Sequence, residues 1–239
     1  MAGRGFLGEA KPVDGTHIRI QRNGLWVNLF RPVNPDRSFS GVCLAESFAE
    51  RYAQKHGVNV GLIPCADGGT KLEQWMPGTV LYCNAVNCAR LAARSSQVTG
   101  ILWHQGESDL AEEKYLSYRQ NFEQMIRSLR RDLGADLPLL IGGLGDFLAD
   151  CKTFGTPEDN RHYADLNAIL EDIARSDPRA GFVSAKGLTS NPDHLHFNAA
   201  SLYEFGLRYF AEFEKLPAAA GFSAPCTEES GERSPIERL

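Results

Sequence analysis

Thr99-Gly100-Ile101-Leu102-Trp103 runs directly into His104-Gln105-Gly106-Glu107-Ser108-Asp109. The first run reads as a buried strand, and the turn after it crowds five polar or ionisable side chains together. In open α/β sheets, ligands bind beyond the carboxyl ends of the strands. A turn so rich in hydrogen-bonding groups at a strand end therefore reads as part of a site.

Working outward, helical and strand patterns alternate. Residues 44–56 are apolar at helical spacing, with Leu44, Phe48 and Tyr52 on one stripe. Residues 58–63 predict a strand that ends in Pro64-Cys65-Ala66-Asp67-Gly68-Gly69. Helices are expected over 84–94, 112–133, 165–176 and 199–214, and strands over 99–103, 137–141 and 181–184. This order predicts an α/β fold, a parallel sheet with helices on both faces. Residues 1–216 are expected to form one domain. Residues 217–239, small, polar and punctuated by proline, read as a disordered tail.

With 43% hydrophobic and 23% charged residues, the composition is that of an ordinary soluble protein. A net charge of −5 provides no basic surplus for nucleic acid. No apolar run is long enough to span a bilayer. The six cysteines show no CxxC pair, so free buried thiols in a reducing, cytoplasmic setting are expected. Oligomeric state is not legible.

Three clusters follow predicted strands: Asp67-Gly68-Gly69-Thr70, then 104–109, then Asp193-His194-Leu195-His196. A parallel sheet brings such ends to one edge. Asp193 and His196 lie three apart, and a carboxylate beside an imidazole can fix its tautomer. The N–H groups of Gly68 or Gly69, with the Gln105 amide, are candidate oxyanion donors. A nucleophile is lacking, because Ser108 fails the G-x-S-x-G pattern at Leu110. Gly142-Gly143-Leu144-Gly145 is not a phosphate loop, since no Lys and Ser/Thr pair follows it.

These blocks resemble the sialate O-acetylesterase-like branch of the SGNH hydrolases, which includes acetylxylan-esterase-related carbohydrate esterases. Family members carry the run glycine-glutamine-serine-asparagine-methionine-alanine-glycine-arginine-glycine, and this chain opens Met1-Ala2-Gly3-Arg4-Gly5, its second half. Gly68-Gly69-Thr70 with Trp75, the 103–109 block and Asp193-His194-Leu195-His196-Phe197 also match. The resemblance implies a three-layer α/β/α flavodoxin-like sandwich and hydrolysis of acetyl esters on sugars, without cofactor or metal. It implies His196 as general base, with Asp193 or Glu107 orienting it, and Gly68 or Gly69 with Gln105 at the oxyanion. Arg4, His104 and Trp75 are the candidates for substrate contact. The family's serine falls two positions ahead of Met1, so that serine and the central first strand delivering it are expected to be missing. Either the start is misplaced or the product is truncated and inactive, and the intact later blocks favour the first.

Two other readings compete. His104, Glu107, His194 and His196 have spacings that could serve a zinc-type hydrolase. Trp75 and Trp103 could instead line the sugar site of a carbohydrate-binding pseudoenzyme.

Overall fold

The computed structural model describes residues 1–217. The first sheet begins with a hairpin that the periodicity above does not anticipate. β1 (Ile18–Arg22) and β2 (Leu25–Asn28) pair antiparallel around Asn23-Gly24, whose φ angles are 49° and 78°. Asn-Gly between strand-forming residues is a strong hairpin signal, because a type I′ turn needs positive φ at both central positions.

α1 (Ala45–His56) stops at Gly57, which adopts φ 64°. β3 (Val60–Leu62) then pairs parallel to β1. α2 (Val80–Ala92) starts earlier than expected, directly after extended Thr79. β4 (Ile101–Trp103) leads to α3 (Tyr115–Leu133), which begins only after a 3-10 turn and ends at Gly134. β5 (Leu139–Gly142), the short α4 (Pro157–Arg161), α5 (Tyr163–Ser176), β6 (Ala180–Val183) and α6 (Ala199–Phe213) complete the order.

The strands form two three-stranded halves, β2-β1-β3 and β4-β5-β6. The second half is wholly parallel. The first pairs β1 and β3 in parallel and carries an antiparallel edge strand, β2, beside the expected parallel sheet. Alternation along β5 sorts the core into two layers. Leu139 and Ile141 pack with residues of α2, α3 and α5, whereas Leu140 packs with Phe48 of α1 and Leu202, Phe205 and Tyr209 of α6. The three-layer α/β/α expectation holds.

Cys43 and Cys151 are buried as expected, but Cys83 is exposed and Cys65 and Cys88 are only half-buried. Cys226 and the expected tail beyond residue 217 lie outside the described residues. Among the described residues no helix is long and apolar enough to cross a membrane.

Leu140 is fully buried at the centre of β5. Leu140→Ala should cost about 2–5 kcal/mol, read as a lower urea midpoint with an unchanged m-value.

Candidate active site

The loop before α6 is tied shut at its base. The Asn191 N–H donates to the His196 carbonyl at 2.7 Å, and Ser190 and Phe197 form an isolated bridge. Within that loop Asp193 Oδ1 accepts the N–H groups of Leu195 and His196, at 2.9 and 3.0 Å. Its Oδ2 lies 2.7 Å from His196 Nδ1. A carboxylate here only accepts, so Nδ1 carries the proton and Nε2 keeps its lone pair. Burial pushes the Asp193 carboxyl up, but the hydrogen bonds from His196 and Leu195 more than offset this, and its pKa lies below the usual value. The two side chains remain 37% and 36% exposed, which leaves the imidazole accessible.

Glu107 is engaged elsewhere. Its Oε1 lies 3.1 Å from His104 Nε2. The His104 side chain is 2% exposed and sits edge-on to Phe197 and Phe205. Burial raises the Glu107 pKa, yet attraction to His104 and their hydrogen bond outweigh it and bring it down to about 2. The two carboxylates left open by sequence thus separate: Asp193 faces His196, and Glu107 faces His104. The expected substrate contact by His104 is not available, because the ring is enclosed.

The glycine turn after β3 is organised by Asp36. This carboxylate takes both Arg4 guanidinium nitrogens at 2.9 and 2.7 Å, the Gly68 N–H at 2.8 Å and the Ser40 hydroxyl at 2.8 Å. Two expectations are thereby corrected. Gly68 has its N–H committed to Asp36 and is no free oxyanion donor. Arg4 spends its guanidinium on a buried ion pair instead of a substrate. Gln105 is committed too: its amide N–H₂ donates to the Thr70 carbonyl at 2.9 Å and to Asp109 Oδ2 at 2.5 Å, and its Oε1 accepts from Tyr118. Of the oxyanion candidates Gly69 keeps an open approach: its φ is 77° and nothing lies within 4 Å of where a Cβ would stand. Trp75 is buried, donates to Thr70 Oγ1 at 2.9 Å and meets Trp103 edge-on, so it packs in the core at the edge of the cavity described below.

His196, Gly69, Gln105, Glu107 and Met1 nevertheless line one cavity of about 930 Å³. The three strand-end clusters do share a hollow. Among the described residues no group of three or more His, Cys, Asp or Glu side chains is placed to hold a metal ion.

Residues 1–215 match a family described as carbohydrate esterase, sialic acid-specific acetylesterase. The chain belongs to that family. A probable carbohydrate esterase of Arabidopsis thaliana is 27% identical over 203 residues, 80% of this chain and 71% of the relative. Among solved structures, a protein from Arabidopsis thaliana superposes with TM-score 0.76 at 24% identity, covering 91% of this chain and 94% of the other. NanS superposes with TM-score 0.63 at 16% identity, over 83% of this chain and 87% of its own. A carbohydrate acetylesterase from Xanthomonas citri gives TM-score 0.59 at 21% identity, over 83% of this chain and 48% of its own. These structural likenesses concern the fold.

The site also relies on residues to which the sequence reading gave no role. Asp36 and Asn191 lie outside every quoted block, and Asn191 Nδ2 donates to the Arg4 carbonyl at 2.9 Å. Asp109 and Tyr118 hold Gln105, and Asp109 also accepts the Leu72 N–H at 3.0 Å. An Asx residue next to Pro35 and Pro192 was the available signal, since Asp and Asn order tight turns.

Two outcomes follow from these bonds. Asp36→Ala strands the Arg4 charge in a site where its side chain is 8% exposed. It should cost about 3–5 kcal/mol, measured by urea unfolding. Glu107 titrates near 2 in the fold against an ordinary 4.5. It therefore adds stability above about pH 4.5 that is lost as pH falls toward 2. Glu107→Gln should flatten that part of the acid limb in a pH series of unfolding midpoints.

Proposed function

We propose that this carbohydrate esterase hydrolyses O-acetyl esters on sugars, such as acetylated xylan or sialic acid, through an acyl-enzyme on a serine. The reading takes residues 1–216 as the catalytic domain and the serine as belonging to a segment ahead of Met1. The observation that carries it is the Asp193–His196 pair at 2.7 Å, with Nε2 free of any hydrogen bond among the described residues, on a residue that lines the same cavity as Met1.

In this mechanism the serine oxygen attacks the acetyl carbonyl carbon and its proton passes to His196 Nε2. Asp193 stabilises the imidazolium that forms. The tetrahedral intermediate collapses, the bond from carbonyl carbon to sugar oxygen breaks, and the imidazolium returns the proton to that oxygen. Water then attacks the acetyl-enzyme with His196 again as base, the bond from carbonyl carbon to serine oxygen breaks, the imidazolium returns the proton to that oxygen, and acetate leaves. The Gly69 N–H is our candidate for the oxyanion. No cofactor enters. A pseudoenzyme that binds acetylated sugar without turnover is the competing outcome.

The test is a chain extended upstream by Gly-Gln-Ser-Asn and the strand before it, assayed on p-nitrophenyl acetate and acetylated xylan. It should release acetate from both. His196→Ala should lower kcat by about 10²–10⁴-fold with the fold intact by circular dichroism. A folded extended protein inert on both substrates would sink the reading.

A further inference from the structure

Two of the free thiols meet beside the strand end that leads into the glycine turn. Cys65 lies between the end of β3 at Leu62 and the turn at Gly68. Cys88 lies in the second half of α2. The Cys65 S–H donates to the Cys88 sulfur. That sulfur also sits 3.7 Å from Asn84 Oδ1, one helical turn earlier. Both cysteines are free thiols and both are half-buried. Their separation in sequence matches no CxxC spacing, so only the fold brings them together.

Neither backbone is loose. Gln21, buried on β1, donates from Nε2 to the Cys88 carbonyl at 3.2 Å. On the other side, Pro64 restricts the chain entering Cys65, and the Ala66 carbonyl just after it accepts Asn34 Nδ2 at 2.7 Å. Thiols brought together by their surroundings can bond without a large backbone movement, which is what disulfide geometry demands. Access is provided by a second cavity of about 280 Å³, lined by Cys65 and Asn84 together with Arg22 and Asn34.

The hydrogen bond makes the two sulfurs unequal. It lowers the Cys88 pKa, against the opposing effect of burial. It raises the Cys65 pKa, and burial raises it further. The thiolate is the nucleophile in exchange, so Cys88 is the attacking sulfur and Cys65 the resolving one. Cys43 makes the contrast: burial pushes its thiol up to about 12.

We propose that Cys65 and Cys88 are a redox-active dithiol that closes to a disulfide on reaction with a low-molecular-weight disulfide such as oxidised glutathione. The Cys88 thiolate attacks one sulfur of the small disulfide, whose S–S bond breaks as one glutathione thiolate leaves. Cys65 gives its proton to that thiolate. The Cys65 sulfur then attacks Cys88, the bond between them forms, and the second glutathione leaves as thiolate. Two protein thiols are oxidised and one small disulfide is reduced. The new bond clamps the chain leaving β3, just ahead of the glycine turn, to α2.

The test incubates the whole reduced chain with oxidised glutathione, blocks remaining thiols and maps the peptides by mass spectrometry. The protein should lose two hydrogens and yield a cross-linked peptide pair joining Cys65 to Cys88. Cys65→Ser should stop at a persistent glutathione adduct on Cys88. Cys88→Ser should form an adduct at Cys65 at least about tenfold more slowly. Cys83→Ser, which changes an exposed thiol on the same helix, should close the bond as fast as the parent. Closing residues 65–88 into a loop constrains the unfolded chain, so oxidation should raise Tm by about 4 °C or more. The cross-linked peptide of the parent decides the matter even where a variant does not fold. Stable adducts without a cross-link, a bond to Cys83 or Cys226 instead, or a Tm that stays level or falls on oxidation overturns the proposal.

Discussion

One buried carboxylate holds the rim together. Asp36 is 5% exposed and takes four hydrogen bonds from three separate places: Arg4, the Gly68 turn and Ser40. Burial alone would raise its pKa, but those donors drive it well below the usual carboxylate range. An ionised carboxylate out of water persists only when its lone pairs are met by donors. Each bond therefore constrains the others, and residues 1–4 are locked to the turn after β3. The Arg4 carbonyl in turn takes Asn191 Nδ2, which carries the constraint to the loop of Asp193 and His196.

A second polar belt ties the turn after β4 to the turn after β3. Gln105 reaches the Thr70 carbonyl, and Asp109 receives both Gln105 and the Leu72 N–H. Burial raises the Asp109 pKa, so this belt exists in low dielectric, where a satisfied network is stiff and a broken one is costly. Two half-sheets, between which no strand pairing occurs among the described residues, are thus cross-braced at their carboxyl ends by side chains. That bracing keeps three strand-end clusters on one hollow. It also explains why Gly68 and Gln105 serve poorly as donors to a substrate: their N–H groups are the braces.

The fold was legible where periodicity was strong. The stripe of Leu44, Phe48 and Tyr52 predicts α1, and the apolar run before His104 predicts β4. Boundaries shifted where local turn chemistry decided them, as at Thr79 and at the 3-10 turn before Tyr115. The β1–β2 hairpin was missed although Asn23-Gly24 announced it, because short edge strands such as Leu25–Asn28 bury little and show weak alternation. In the site, the three clusters were legible as strand ends. The partners of their donors were not, since Asp36 and Gly68 stand 32 residues apart and only the tertiary structure brings them together.

Two histidine–carboxylate pairs with the same three-residue spacing show what spacing leaves undecided. His104 with Glu107 and Asp193 with His196 are equivalent on paper, and burial separates them. The His104 ring is 2% exposed and enclosed by Phe197 and Phe205, and its Nε2 faces Glu107, so the pair acts as an internal strut. His196 instead turns Nδ1 to Asp193, is 37% exposed and lines the cavity. A base must reach a substrate proton: the unbonded Nδ1 of His104 is buried, whereas the unbonded nitrogen of His196 belongs to a ring that is 37% exposed. Phe197 links the two roles: it follows His196 in the chain and packs on His104, so the buried strut steadies the loop that carries the exposed imidazole.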